Sequence, residues 1–448
     1  MRVSNAVPHG VLYDRPMTSM QFVIVAICCL TNISDGVDIA ALAFAAPVLV
    51  KDWGLRPAVL ATLFGATAVG LAIGAFFVAQ LADRFGRRPV TLVATGTIVL
   101  TMMLTALATS VPQLAALRFT TGLCLGTLAV TLNVMVSEFA NARWRNISVA
   151  ILHSGFSIGT MVGGLFAALL LMPFGWQSMF IAAGTLNAIA FVLILFLLPE
   201  SPSFIVSRRD DGTLGRLNRA LSRLGQSQVT EVPAVAVARG KAKVSALLAG
   251  ARRNSTLLLW LSQFVFAVIS YLLLNWKPTV LVNAGLSPAQ AGIAGLVSGI
   301  AGIAGHMVAG YLSRDGREVR STMIFLFMLC FALLWLGLQP PMVGGLILAA
   351  SFTSFCNVGV FTGLLLIGLT HYPAAVRTAS VAMLVGIARL GAISGPVFGG
   401  LLLELGLGRD GMFIVLASMA LAPLIAMYFA MMGWRRAPAN EDVARVPA

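Results

Sequence analysis

Charged side chains are scarce in this sequence. Only 10% of its 448 residues are Asp, Glu, Lys or Arg, whereas 58% are hydrophobic. A soluble domain carries charge on about a quarter of its residues. The composition therefore excludes a soluble globular protein and indicates a chain that crosses a membrane several times.

Cysteine is also rare, and its pattern excludes two kinds of site. All five cysteines lie in apolar runs, without the spacing of a zinc site or of a disulfide framework. They are Cys28, Cys29, Cys124, Cys330 and Cys356. The sequence contains no recognisable nucleophile–base pair, metal cluster or cofactor loop. We therefore expect a non-enzymatic protein that needs no metal and no cofactor.

Apolar runs bounded by charge, Pro or Gly predict twelve membrane-spanning helices. Their approximate ranges are 20–47, 59–82, 90–110, 113–137, 147–172, 177–198, 256–282, 289–313, 320–339, 342–370, 377–405 and 410–433. The sequence thus predicts an all-α membrane protein with two six-helix bundles, at 20–198 and 255–433. A cytoplasmic linker, 199–254, joins them, and tails occupy 1–19 and 434–448.

The polar linker contains one amphipathic stretch, Leu214–Leu224. Its apolar face could rest on the membrane surface, or the stretch could be a solvated helix of no further function. Both interpretations fit the spacing of its leucines equally well.

The net charge of +14 reports topology rather than a nucleic-acid partner. Most Lys and Arg residues fall in alternate connections or in the two tails, which is the distribution of the positive-inside rule. This distribution predicts that both termini lie in the cytoplasm. The exceptions are Lys51, Arg56 and Arg409 in the opposite connections, and Arg118, Lys277 and Arg389 within spans.

Two acids lie deep in the first span. Counted from Met20, Asp35 lies about 22 Å and Asp38 about 27 Å along the helix, at 1.5 Å per residue. Their spacing places both on one helical face. An unpaired carboxylate at that depth costs several kcal/mol or more, so it should face a polar cavity, pair with a cation or carry a proton. We interpret the pair as the proton-handling centre of a transporter; a buried capping pair is the alternative.

Two arginines in the spans are candidate partners for anions. Arg118 lies about five residues into the fourth span, at a depth from which its guanidinium could reach Asp38, or it could extend outward to the interface. Arg389 lies about 18 Å into the eleventh span, near the midplane. It could bind the carboxylate of a substrate, or it could pair with Asp35 or Asp38.

Four further residues are candidate substrate contacts. Lys277 could bind an anionic substrate, or it could be an interfacial lysine beside Trp276. Asn275 is a possible hydrogen-bonding group in a cavity. His153 in the fifth span could contact substrate or relay a proton, although a packing histidine is the simpler interpretation.

The connection after the second span, Ala79–Pro89, reads A-Q-L-A-D-R-F-G-R-R-P. A charged cluster at an inner turn can hold two helices in one conformation and release them in another. The candidate gating residues are Asp83, Arg84, Gly86, Arg87 and Arg88, with Glu138 and Arg143 at the cytoplasmic end of the fourth span.

This loop resembles the signature of the major facilitator superfamily, and P-E-S-P at Pro199–Pro202 resembles a second one. Within the superfamily, the chain is similar to the aromatic acid:proton symporters. That similarity rests on D-G-V-D in the first span, Leu274–Thr279 in the seventh and Gly386–Pro396 in the eleventh. The fourth-span stretch beginning at Arg118 also resembles the motif linked to proton transfer in such symporters.

The resemblance implies a proton-coupled symporter that imports a small organic, aromatic carboxylate by alternating access. Its partners would be the organic anion, protons and the lipid bilayer, and it would function as a monomer in the bacterial cytoplasmic membrane. A sugar or polyol symporter and a drug or metabolite exporter of the same superfamily are the alternatives.

Overall fold

A computed structural model describes residues 11–208, 212–233, 247–248, 253–372 and 374–436, and every regular element in these ranges is a helix. Twelve of the helices are long and apolar enough to cross a membrane, which confirms the predicted all-α architecture. The first six are α1 (Ser19–Trp53), α2 (Pro57–Ile73, which continues as a π-helix to Val78), α4 (Arg87–Ala106), α5 (Val111–Phe139), α6 (Arg145–Phe174) and α7 (Gln177–Leu197). The other six are α10 (Arg253–Asn283), α11 (Pro288–Leu312), α12 (Glu318–Leu338), α13 (Val343–Thr370), α14 (Ala374–Glu404) and α15 (Arg409–Arg436).

Three short helices occupy the predicted cytoplasmic connections. They are α3 (Leu81–Phe85), α8 (Pro202–Ser207) and α9 (Thr213–Arg223). Residues 1–10 and 437–448 of the predicted tails, and much of the predicted linker, lie outside the described residues.

The first helix is longer than predicted. It passes through Pro47 without ending and continues to Trp53. Proline removes one backbone donor, a loss that neighbouring groups in a membrane protein can offset. The other ends of the spanning helices agree with the predicted ones to within about one helical turn. The extension matters for the site because it places Asp38 further from the C-terminal end of α1.

The helices group into two compact units, and the first comprises Met1–Ala41, Ala66–Thr160 and Gln177–Arg239. Within it, glycines let α2 and α5 approach closely. A Cβ atom on Gly126 of α5 would lie 2.0 Å from the carbonyl oxygen of Leu71, and one on Gly122 would lie 2.1 Å from that of Thr67. Gly70 on α2 meets the backbone of α5 in the same way. Small residues therefore form this contact on both helices.

The second unit comprises Leu42–Gly65, Met161–Trp176 and Gly240–Ala448. Here α14 packs on α10 through Gly391 and Gly395. A Cβ atom on Gly395 would lie 2.6 Å from the carbonyl oxygen of Val268. Close backbone contact thus positions α10, which carries Lys277, against α14, which carries Arg389.

The apolar face of the amphipathic helix α9 is buried in protein. Leu217 and Leu221 are 0% exposed. The hydroxyl of Thr18 donates to the carbonyl oxygen of Leu224 at 2.6 Å, and Gln226 donates to the side chain of Gln21 at 2.8 Å. The helix is therefore docked on the N-terminal end of α1, with Leu217 and Leu221 covered by protein.

Candidate transport site

The two acids of α1 are buried in the first unit. Asp38 is 2% exposed and Asp35 is 4% exposed. The side-chain amide nitrogen of Asn187 on α7 donates to both carboxylate oxygens of Asp38, at 3.0 Å each. Asp35 Oδ1 is buried and has no hydrogen-bond partner. The structure thus places both acids where charge is costly, and it supplies a neutral donor to one of them.

Arg118 lies on α5 and is 1% exposed. Its guanidinium donates to the hydroxyls of Thr105 at 2.8 Å and Thr121 at 3.2 Å, and it lies 5.0 Å from the ring centroid of Phe180. No hydrogen bond or ion pair joins it to Asp38. The longer α1 places Asp38 about 22 Å from the C-terminal end of its helix. The predicted depths of Arg118 and Asp38 suggested a direct contact, which is absent. The two charges interact at longer range.

Lys277 lies on α10, with its charge among hydroxyl groups. Its Nζ atom donates to Ser354 on α13 at 2.7 Å and to Ser298 on α11 at 3.2 Å. Among the described residues it has no carboxylate partner. Hydroxyl oxygens accept hydrogen bonds but do not neutralise an ammonium group. The site can therefore offer positive charge to an anion.

Arg389 lies at the middle of α14 and is half-buried. Within the described part of the chain, no hydrogen bond or ion pair to it is found. Asn275 on α10 is also half-buried, and its amide donates to the carbonyl oxygen of Tyr271 one turn earlier at 2.7 Å. Both side chains lie in the second unit, on the helix pair that also carries Lys277.

Trp276 and His153 differ sharply in burial. Trp276 is 1% exposed, donates its indole N–H to the carbonyl oxygen of Pro396 at 2.9 Å and packs edge-on against Phe64. Its indole is therefore committed to packing in this conformation. His153 on α6 is exposed and makes no hydrogen bond to another described residue.

The predicted gating loop forms a charged cluster at the start of α4. Arg87 pairs with Asp83 at 3.0 Å and with Glu138 at 3.4 Å. Gly86 between the short helix α3 and α4 has a φ of 109°, a conformation that favours glycine. The cluster thus links the loop to the end of α5.

The P-E-S-P segment completes this cluster. Glu200 accepts the backbone N–H of Arg87 at 3.0 Å and of Arg88 at 3.3 Å, while the Ser201 hydroxyl donates to Glu138 at 2.5 Å. A Cβ atom on Gly86 would lie 2.3 Å from Glu200 Oε2. Burial raises the pKa of Glu200 above its ordinary value, and the surrounding N–H donors and Arg87 partly offset that effect. Glu200 therefore caps the first turn of α4.

The remaining arginines of the loop contact other groups. Arg88 donates to the carbonyl oxygen of Leu195 at 2.8 Å, and Arg84 lies over the ring of Phe85 at 5.5 Å. Arg143 is exposed, and it makes no hydrogen bond or ion pair with the described residues of this cluster.

Three groups of residues in these sites were not singled out from the sequence as functional. Asn187 carries an amide inside the sixth span, which is the one sequence signal that could have revealed it. Glu200 and Ser201 belong to a recognised motif whose contacts the sequence does not specify. The hydroxyl partners are common residue types with no distinguishing pattern; they are Thr105, Thr121, Ser298 and Ser354.

Comparison with known proteins identifies the family. A model of the Major Facilitator Superfamily matches residues 28–386. The chain belongs to the Major Facilitator Superfamily. This result confirms the resemblance drawn from the loop motif and P-E-S-P, and it makes the chain a multi-pass transport protein rather than an enzyme.

Named members of the superfamily resemble the chain over almost its whole length. A gallate transporter of Pseudomonas putida is 33% identical, with 92% of this chain and 92% of that protein covered. The 4-hydroxybenzoate transporter PcaK of Pseudomonas aeruginosa is 32% identical, with 88% of each covered. These relatives agree with the predicted subfamily of aromatic acid transporters.

A solved structure supports the fold. The crystal structure of a D-xylose-proton symporter matches with a TM-score of 0.71 at 17% identity, covering 95% of this chain and 99% of that one. At this identity the likeness concerns the fold alone.

Proposed function

We propose that this chain is a proton-coupled symporter that imports a small aromatic carboxylate by alternating access. The observation that carries the proposal is the pair of basic side chains in the second unit, Lys277 and Arg389, which have no carboxylate partner among the described residues. A cation within a membrane span needs an anion, and the carboxylate of a substrate can supply it. The relatives named for gallate and 4-hydroxybenzoate support the aromatic class.

In this proposal Asp38 carries the coupled proton. A charged group in a low-dielectric region opposes any movement that leaves it unpaired. Protonation of Asp38 removes one such charge, and binding of a carboxylate to Lys277 and Arg389 compensates another. Transport then requires both events, so the proton gradient drives accumulation of the anion. Asp35, which is also buried, is the second candidate proton carrier.

The cytoplasmic cluster is proposed to stabilise one conformation of the transport cycle. Its contacts join Arg87 to Glu138 and to Glu200. A conformation that opens the cluster must therefore break the contacts of the loop with the end of α5 and with the segment after α7. We propose that both termini lie on the cytoplasmic side of a bacterial inner membrane, because the basic residues concentrate in alternate connections, and that the protein acts as a monomer.

The proposal is tested by uptake into proteoliposomes under an inwardly directed proton gradient. Labelled gallate, 4-hydroxybenzoate and benzoate are compared with uncharged 4-hydroxybenzamide and with xylose. At least one acid should accumulate, and a protonophore should abolish that accumulation. Accumulation of xylose, uptake of the amide equal to that of the acid, or gradient-driven efflux of all three acids would contradict the assignment.

A further inference from the structure

Asn187 holds the carboxyl group of Asp38 through its side-chain amide. It is 0% exposed, and it joins α7 to α1 across 149 residues of chain. We propose that Asn187 is the positioning residue that binds Asp38 in both its ionised and its protonated state. The inference rests on the proposed function, in which Asp38 carries the coupled proton.

The orientation of the amide follows from its neighbours. Asn187 Nδ2 lies 3.0 Å from each carboxylate oxygen of Asp38 and 3.0 Å from the carbonyl oxygen of Ala183. All three neighbours are acceptors, so the NH2 group must face them. One N–H serves the helix carbonyl, and the two oxygens of ionised Asp38 share the other. Hydrogen bonds to an ionised group are the stronger kind.

The other end of the amide is not satisfied. Asn187 Oδ1 is buried and has no hydrogen-bond donor. An unsatisfied buried acceptor destabilises the arrangement that contains it. Protonated Asp38 can supply the missing donor, because its O–H can bond to Asn187 Oδ1 while its other oxygen still accepts the N–H. The acid and the amide then form a ring of two hydrogen bonds, and the bond to Ala183 is kept.

The charged and titratable groups around Asp38 do not provide such a partner. Arg118 on α5 bonds to threonine hydroxyls, and Asp35 on α1 has an unpartnered oxygen of its own. On α6, which also packs against α1, His153 is exposed and lies nearer the cytoplasmic end of its helix. Of the described residues, Asn187 is therefore the one whose side chain hydrogen-bonds to Asp38.

The test compares Asn187→Leu with wild type in proteoliposomes. Initial uptake of 4-hydroxybenzoate, or of the screened acid that accumulates best, is measured at equal pH on both sides with the inward substrate gradient as driving force. Loss of the N–H donors disfavours ionised Asp38, so the proton is retained to higher pH. The pH at which uptake falls on the alkaline side of the profile should therefore be higher in Asn187→Leu, by about one unit.

Asn133→Leu is the matched control. Asn133 also lies within a span, but its amide donates only to the carbonyl oxygen of Ala129 on its own helix, at 2.7 Å. Its removal should leave the pH of this alkaline fall in uptake unchanged. An equal shift in both variants would show a general effect of losing an intramembrane amide and would overturn the inference.

Infrared difference spectroscopy gives a second readout that a purely structural role would not change. The C=O band of protonated Asp38, identified by its absence in Asp38→Asn, should move to higher wavenumber in Asn187→Leu because the carbonyl loses its donor. Asn187→Ala, a smaller replacement without a hydrogen-bond donor that is available if the leucine variant does not fold, should show the same direction. A pH profile and band identical to wild type would overturn the inference.

These outcomes separate the inference from the proposed function. If Asp38→Asn still accumulates substrate against a gradient, Asp38 is not the proton carrier, and the inference fails together with that part of the proposed function. If Asp38→Asn loses accumulation while both Asn187 variants match wild type, only the role of Asn187 is excluded.

Discussion

Lys277 is bound by neutral groups on two neighbouring helices. Ser298 and Ser354 fix the ammonium group by hydrogen bonds but leave its charge uncompensated. A carboxylate that enters this site exchanges its hydration for charge-assisted hydrogen bonds to a cation whose position is already fixed. The arrangement thus favours an anion over an uncharged analogue of the same shape.

Lys277→Met should weaken transport of aromatic carboxylates. The side chain keeps its length but loses its charge, and a hydrogen bond to a charged group contributes about 1.5–3 kcal/mol. The KM for the acid should therefore rise about tenfold to a hundredfold. Initial rates of uptake in proteoliposomes over a range of substrate concentrations measure this change.

Lys51→Met is the control, because Lys51 is an exposed lysine at the end of α1. It should leave the KM unchanged. Arg389→Gln, measured alongside, should weaken the same acids. Unaltered affinity in both Lys277→Met and Arg389→Gln would exclude an anion site in the second unit.

At the scale of helices, the contact between α2 and α5 depends on glycines on both sides. Their positions face carbonyl oxygens of the opposite backbone, which cannot rotate away as a side chain could. This pair is therefore fixed in separation and register. The helix α11 offers a contrast, since a Cβ atom on its Gly310 would meet nothing within 4 Å.

Gly126→Ala should destabilise the protein by about 1–3 kcal/mol, the usual cost of overpacking a well-packed contact. The added methyl group would lie 2.0 Å from the carbonyl oxygen of Leu71. Melting in detergent can be followed with a thiol-reactive dye, because four of the five free cysteines are buried.

Gly310→Ala is the matched substitution, and it should leave the melting temperature unchanged or slightly raised, since alanine favours helix more than glycine does. Equal melting temperatures for the Gly126 and Gly310 variants would contradict the proposed rigidity of the α2–α5 contact.

For the whole molecule, coupling means that the proton and the anion move in one cycle. Asp38→Asn should abolish gradient-driven accumulation, because the amide cannot carry a proton, while exchange of internal for external substrate continues. Both quantities are measured in proteoliposomes, with and without an imposed pH gradient. Asp52→Asn, which changes an exposed acid on the same helix, should retain both activities.

The sequence predicted the twelve helices because crossing about 30 Å of hydrocarbon requires about 20 apolar residues, a requirement that is local in the chain. It also identified charged residues within the spans, of which Asp35, Asp38 and Arg118 are buried. It did not predict the partners, as Arg118 shows: its guanidinium donates to the hydroxyl of Thr105 on another helix, and that hydroxyl also donates to the carbonyl oxygen of Thr101 on its own helix. The rotation of each helix about its axis decides which hydroxyls face Arg118, and it depends on packing across the whole unit.

The capping of α4 by Glu200 also bears on the order of synthesis. The carboxylate lies 113 residues after the N–H group of Arg87 that it accepts. While a ribosome is still making the intervening helices, the beginning of α4 has no such acceptor. A truncated product that stops before P-E-S-P should therefore leave that turn exposed to proteases, whereas extension by a few residues should protect it.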